Sequence, residues 1–314
     1  LILSITLNPC VDHTVFVQSL ELGDTNRVLR TETDAGGKGV NLSRIAVELG
    51  GQSLASGFLG GGPGAFVRKV LDLQGVAHGF VDIAEDTRTN FNVESLAGGP
   101  PTTFNAAGPT ISAAEWEALL HRISTFLPRC TWVAMGGSLP PGVPPDAFRV
   151  LGEMAQSAGK KWVLDADGPS QVEGLKARPH FIKPNLKEAE RLLGHPIGRP
   201  ESALDAAREL YDQMGGEDRY AIISLGRGGA VMACAEGVYR GRSPQVEARS
   251  TIGSGDSLIG GMLLQLDLGA SPDQALQWGL AAGAGTATTD GSEIGRRPVI
   301  ESLLGQAQVE KVSD

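Results

Sequence analysis

Ile252-Gly253-Ser254-Gly255-Asp256-Ser257 precedes Leu258, Ile259, Met262, Leu263 and Leu266 at helical spacing. It reads as a glycine turn feeding a helix whose first amides are free, with a carboxylate at the positive end. Glycines let the backbone approach an anion such as a phosphoryl group, and Asp256 is placed to take a proton from an attacking hydroxyl. The same pattern also suits an ordinary N-capping Asp. Ala35-Gly36-Gly37-Lys38-Gly39-Val40-Asn41 leads into a second helix. There free amides, the Lys38 ammonium and the Asn41 amide converge on a polar ligand, or Asn41 caps a solvated loop.

Three more segments have this character. Thr6–Asp12 ends the first strand with a carboxylate that suits two sugar hydroxyls, or a turn. Ile182–Glu188 puts the Lys183 cation, the Asn185 amide and the Glu188 carboxylate at a helix entry. Glu188 suits a hydrated Mg²⁺ ion or simple complementarity to the helix dipole. Ser224-Leu225-Gly226-Arg227-Gly228-Gly229 is a strand and a turn that admits a nucleotide or closes a hairpin.

Alternating elements must position these loops. Strand-like runs occur at Leu1–Leu7, Ser53–Leu59, Thr131–Met135, Lys161–Leu164, His180–Ile182, Tyr220–Leu225 and Ala230–Cys234. Helical patterns lie between many of them: Asn41–Leu49, a helix opened by the Ser112/Glu115 capping box, Pro144–Ala158 and Ser202–Met214. This rhythm predicts an α/β fold, a mainly parallel sheet with helices on both faces. His13–Ser19, Arg27–Thr33 and Thr89–Leu96 alternate with period two and lack their own crossover helices. They are expected to form a small antiparallel β lid, inserted at about residues 12–35 and 87–106 of one domain spanning 1–314.

A formal charge of −9 gives no general basic field, which argues against nucleic acid or an anionic membrane as partner. Three dispersed cysteines and five scattered histidines match no metal spacing and suit a reducing, cytoplasmic compartment. Lys38 is followed by Gly39, so no P-loop is present, and no G-x-G-x-x-G occurs.

Taken together, the glycine segments Ala35–Arg44 and Ser250–Gly261, with Thr6–Asp12, Thr87–Asn90, Gly136–Gly142 and Lys183–Glu188 in order between them, resemble the PfkB (ribokinase-like) carbohydrate kinases over nearly the whole chain. Leu7-Asn8-Pro9, Asn26-Arg27-Val28 and Ala35–Gly39 are most similar to the branch acting on phosphorylated ketoses. The resemblance implies that Asp256 is the catalytic base, with the amides of Gly253, Ser254 and Gly255 as anion hole. Asp12 and Asn41 would hold sugar hydroxyls, with Gly37 and Ser138 lining the pocket and Lys38, Arg27 and Arg88 on the acceptor's phosphate. Lys183 would meet the ATP phosphates, Asn185 and Glu188 would organise Mg²⁺, and Ser224, Leu225, Gly226, Arg227, Gly228, Gly229, Gly283 and Gly285 would surround the nucleotide. The implied reaction is ATP-dependent phosphorylation of a ketose monophosphate, fructose 1-phosphate ahead of tagatose 6-phosphate or fructose 6-phosphate, in a homodimer formed through the lid. A non-catalytic sugar-phosphate or nucleotide sensor is the alternative of another class. Ser250 stands where potassium-dependent members place an Asp.

Overall fold

The computed structural model describes residues 1–98, 101–198 and 202–313. Strand β1 (Ile2–Thr6) starts the main sheet, β2 (Cys10–Val17) and β3 (Val28–Gly36) leave it, and helix α1 (Lys38–Glu48) leads back to β4 (Ser53–Leu59). Next come α2 (Gly61–Leu73), the short β5 (Ala77–His78) and β6 (Val81–Asp82), then β7 (Arg88–Ser95) and β8 (Thr102–Phe104). A regular alternation follows: α3 (Ala113–Phe126), β9 (Trp132–Gly136), α4 (Ala147–Ser157), β10 (Lys161–Asp165), α5 (Gly168–Leu175), β11 (Phe181–Ile182), α6 (Leu186–Leu193), α7 (Ser202–Met214) and β12 (Tyr220–Ser224). The chain then adds β13 (Ala230–Cys234), β14 (Gly237–Arg242), α8 (Ser254–Asp267), α9 (Pro272–Ala287), α10 (Arg297–Leu303) and β15 (Gln308–Ser313).

The main sheet runs β15-β14-β13-β12-β11-β10-β9-β1-β4-β5. Pairs from β5 to β12 are parallel, while β13, β14 and β15 close one edge antiparallel. Alternation along each strand sends side chains to two separate cores. Leu3 and Ile5 of β1 and Val133 and Met135 of β9 join Trp116, Leu119, Phe148, Leu151 and Leu210 from α3, α4 and α7. Ile2, Trp132 and Ala134 face the other way, against Leu42, Ile45, Ile259, Met262 and Leu280 from α1, α8 and α9. Both faces are therefore covered, as the sequence rhythm predicts. The antiparallel edge was not anticipated beyond β13.

The second sheet is β3-β2-β7-β8. Its outer pairs are antiparallel, as expected, but β2 and β7 pair in parallel, with Asp12 opposite Asn90. The long excursion from β3 through α1, β4 and α2 supplies the crossover that a parallel pair requires. Asn90 and Asn92 on β7 are buried beneath this sheet, while Phe91 (49 % exposed) and Phe104 (59 %) point outward. The alternation read from Thr89–Leu96 is thus polar inward and apolar outward. Gly99 and Pro100, within the expected 87–106 lid segment, lie outside the described residues.

Candidate active site

Asp256 is the third residue of α8, not its cap. Gly253 occupies the N-cap position with φ +76°, a left-handed backbone that glycine adopts without strain, and no side chain caps the helix. Asp256 is 9 % exposed, and its carboxylate accepts a hydrogen bond from Asn41 Nδ2 at 2.9 Å. Glycine packing makes this contact possible: a Cβ on Gly260 would lie 2.1 Å from Ile45 Cγ2, so only glycine lets α8 approach α1 so closely. Asn41 itself is inside α1, which begins at Lys38, three residues before the sequence suggests. Thr6 Oγ1 accepts the Val40 amide at 3.0 Å and holds the helix start against the end of β1.

Burial, with the Asp165 carboxylate adding to it, pushes the Asp256 pKa up to about 6, although Lys38, Asn41 and Lys183 pull it down. Asp165 was missed by sequence reading. It ends β10 and sits between two cations, with Lys38 Nζ at 3.2 Å and Lys183 Nζ at 3.6 Å. Against the burial that would raise it, Lys183 and then Lys38 hold the Asp165 carboxyl below the usual range. The available signal was its place at a strand end, where open parallel sheets gather ligand groups.

Lys183 Nζ also lies over the start of α8, since a Cβ on Gly255 would be 3.1 Å from it. Ser254 and Gly255 line a cavity of about 470 Å³ together with Ser224, Gly226, Arg227, Gly229 and Gly283. Ser243, Pro244, Gln245, Val246 and Ala248, which no motif flagged, close the same cavity. Ser254 Oγ is buried with no hydrogen-bond partner. Of the three amides expected as an anion hole, that of Ser254 already reaches Thr251 O at 3.3 Å.

Leu225 and Gly228 instead line a neighbouring groove with Ile197 and Arg240. Gly285 is not a cavity residue: a Cβ there would lie 2.7 Å from Ile300 Cγ1, so it permits packing of α9 on α10. Two residues along a helix face nearly opposite ways, which separates Gly285 from Gly283.

Asn185 and Glu188 form a reciprocal capping box on α6: Glu188 Oε2 accepts the Asn185 amide at 2.9 Å and Asn185 Oδ1 accepts the Glu188 amide at 3.0 Å. This uses one carboxylate oxygen of Glu188. Asn185 is also bridged to Ser224 across the sheet end, beside the nucleotide-sized cavity. Among the described residues no group of three or more His, Cys, Asp or Glu could hold a metal ion.

On the lid side, Asp12 belongs to β2, neither in a turn nor at the end of β1. It is 7 % exposed, and its Oδ1 accepts Asn90 Nδ2 at 3.0 Å and the Cys10 thiol at 3.3 Å. A Cβ on Gly36 would fall 2.2 Å from Asp12 Oδ2, and one on Gly37 2.8 Å from Thr6 Cγ2, so the glycine pair admits both contacts. Arg88 and Ser138 line one cavity of about 710 Å³ with Asn105. Arg88 donates to Ala106 O at 2.7 Å and to Asn8 O at 2.9 Å, and Asn8 Nδ2 reaches Ser138 Oγ at 3.1 Å.

The three cations expected on one phosphate are not together within this chain. Asp165 captures Lys38 on the Asp256 side. Arg27 is exposed in the β2–β3 connection beyond the Val17–Val28 pair, roughly 17 Å along the lid from Asp12 at about 3.4 Å per residue. Only Arg88 faces the cavity that holds Ser138.

A family model described as pfkB family carbohydrate kinase matches residues 5–298. A protein named 1-phosphofructokinase from Borreliella burgdorferi is 33% identical over 315 residues, covering 99% of this chain and 99% of that protein. The crystal structure of phosphofructokinase-2 from Escherichia coli in complex with substrates and products superposes with a TM-score of 0.90 at 26% identity, covering 97% of this chain and 98% of the other. Ribokinase from Arabidopsis thaliana, solved with ribose and ATP, shares the fold with a TM-score of 0.77 at 20% identity over 96% of this chain and 98% of that one.

Proposed function

We propose, from the premise that this chain belongs to the pfkB carbohydrate kinase family, that it transfers the terminal phosphoryl group of ATP to a hydroxyl of fructose 1-phosphate, giving fructose 1,6-bisphosphate. The observation that carries this reading is the buried Asp256 carboxylate at the uncapped start of α8, whose pKa near 6 suits a general base at neutral pH. A sugar or nucleotide sensor has no use for such a group.

The roles follow from position. Asp256 accepts the proton of the attacking hydroxyl, which Asp12 orients from the lid side and Asn41 from α1. Positive charge from Lys183 and the start of α8 meets the transferring phosphoryl, and Lys38, expected on the acceptor's phosphate, joins them because Asp165 holds it there. Arg88 is left as this chain's cation for the acceptor's own phosphate. The cavity lined by Ser224, Gly226 and Gly283 takes the nucleotide, and the unpartnered Ser254 Oγ suits a phosphate oxygen.

Mg²⁺ fits the free carboxylate oxygen of Glu188 beside Asn185, through its water shell, and would neutralise phosphate charge there. The exposed apolar face carrying Phe91 and Phe104 suits lid-to-lid pairing in a homodimer. All three cysteines are free and buried, which supports a cytoplasmic site, and no helix among the described residues is long and apolar enough to cross a membrane. Identification of the bisphosphate product after incubation with Mg-ATP tests the assignment. Loss of ADP release on omitting the ketose phosphate separates transfer from simple ATP hydrolysis.

A further inference from the structure

We infer that Arg44 is a positioning residue that sets the direction of the Asn41 amide and so presents its N–H to Asp256. Arg44 is 2 % exposed, one of the largest fully buried side chains in the protein. A guanidinium remains charged when buried, so every group around it is constrained to face it with an acceptor. Its Nε donates to Gln74 Oε1 at 2.8 Å and its Nη1 to Ala35 O at 2.8 Å. The same Nη1 lies 3.4 Å from both Asn41 Oδ1 and Ser292 O, and Nη2 lies 3.9 Å from Asp34 Oδ1.

The consequence is chemical. Asn41 is one helical turn before Arg44, with a cation on one side and the Asp256 carboxylate on the other. Only one orientation of the amide satisfies both: carbonyl oxygen toward Arg44, N–H toward Asp256 Oδ2 at 2.9 Å. The 3.4 Å contact is long for a hydrogen bond, but a buried charge at that range still selects the oxygen. Without the guanidinium the carboxylate alone holds the amide: its N–H end still faces Asp256, but nothing fixes the oxygen end, and the N–H is aimed less firmly. Because Arg44 also grips Ala35 and faces Asp34 at the end of β3, the lid root and the base are tied to one side chain.

This inference rests on the reading of Asp256 as the base. Its test is a double-mutant cycle in kcat with Arg44→Lys and Asn41→Ala. Lysine keeps the charge but loses the fork, and Arg44→Lys should lower kcat roughly tenfold while KM for ATP stays within about twofold, a coupling of the size found between contacting residues. In the Asn41→Ala background the same change should cost less than about twofold, because the route through Asn41 is already gone. Equal losses in both backgrounds, or wild-type kcat in Arg44→Lys, would overturn the inference. Should Arg44→Lys not fold, Asn41→Asp serves. Arg44 would pin one new oxygen and force the other against Asp256, so its kcat should fall below that of Asn41→Ala; a kcat at or above it would overturn the inference equally. A wild-type protein without kinase activity sinks the base assignment and this inference together, whereas additive losses in an active enzyme sink this inference alone.

Discussion

Lys38 Nζ sits 3.2 Å from Asp165 Oδ2, and that contact holds the lysine of the first glycine loop on the Asp256 side of the site. Against burial that would lower it, Asp165 and then Asp256 raise the pKa of Lys38, so the ammonium is charged throughout the working range. Asp165 in turn adds to the burial that raises Asp256, so one strand-end carboxylate holds two lysines and raises the pKa of the proposed base.

Asp165→Asn should therefore lower the acid limb of the kcat/KM–pH profile, expected near pH 6 in the wild type, since one cause of the raised Asp256 pKa is removed. Plateau kcat should fall as well, because Lys38 and Lys183 lose the carboxylate that spaces them. A profile from pH 5 to 8.5 with an unmoved acid limb would remove Asp165 from the tuning of Asp256.

Asp256→Asn should abolish most turnover and, at neutral pH, stabilise the fold. The folded state favours the protonated carboxyl, so ionising Asp256 costs stability as pH rises from about 4 to about 6, and the cost persists above that window. It amounts to about 3 kcal/mol at most. The variant should melt a few degrees higher than wild type at pH 7.5, with the difference vanishing near pH 4. A lower Tm for the variant at pH 7.5 would contradict the buried, energetically costly base. Turnover should drop by roughly 10²–10⁴-fold with ATP binding retained.

Glu188→Gln should raise the Mg²⁺ concentration for half-maximal rate with little loss of stability. Glutamine still completes the capping box with Asn185, so the helix start survives while the negative charge is removed. A magnesium titration of both proteins decides; an unchanged half-saturation leaves Glu188 as a helix cap only.

Arg88→Ala should weaken kcat/KM for fructose 1-phosphate by roughly 10–150-fold, from about 1.5–3 kcal/mol per charge-assisted hydrogen bond. Two of its nitrogens already hold Ala106 O and Asn8 O, so some of the loss comes from slackening the cavity wall. The comparison with unphosphorylated fructose isolates the charge: fructose should respond weakly, and equal losses for both substrates would assign Arg88 to the wall alone.

The glycine loops were legible because backbone geometry favours them: Gly253 takes a left-handed φ of +76°, and a Cβ on Gly36 would displace the Asp12 carboxylate. Strands buried on both faces, such as β1 and β9, announced themselves as short apolar runs. Asp165 was not legible, because its meaning lies in Lys38 and Lys183, which are distant in sequence and reach it only through the order of parallel strands. Arg44 was hidden inside an amphipathic helix pattern, where a single cation reads as solvent-facing. The parallel pairing of β2 with β7 is likewise non-local, and alternation alone does not reveal strand direction. Residues of α9 are buried on most sides, which erases the helical period that marks a surface helix.

The most direct test of the proposed transfer is the initial rate of ADP release from Mg-ATP with fructose 1-phosphate, fructose 6-phosphate and tagatose 6-phosphate as acceptors, for wild type and Asp256→Asn side by side. Fructose 1-phosphate should give the highest kcat/KM, with conversion to fructose 1,6-bisphosphate, and turnover should collapse in the variant. No acceptor-dependent ADP release, a clear preference for another ketose phosphate, or turnover in Asp256→Asn within tenfold of wild type would contradict it.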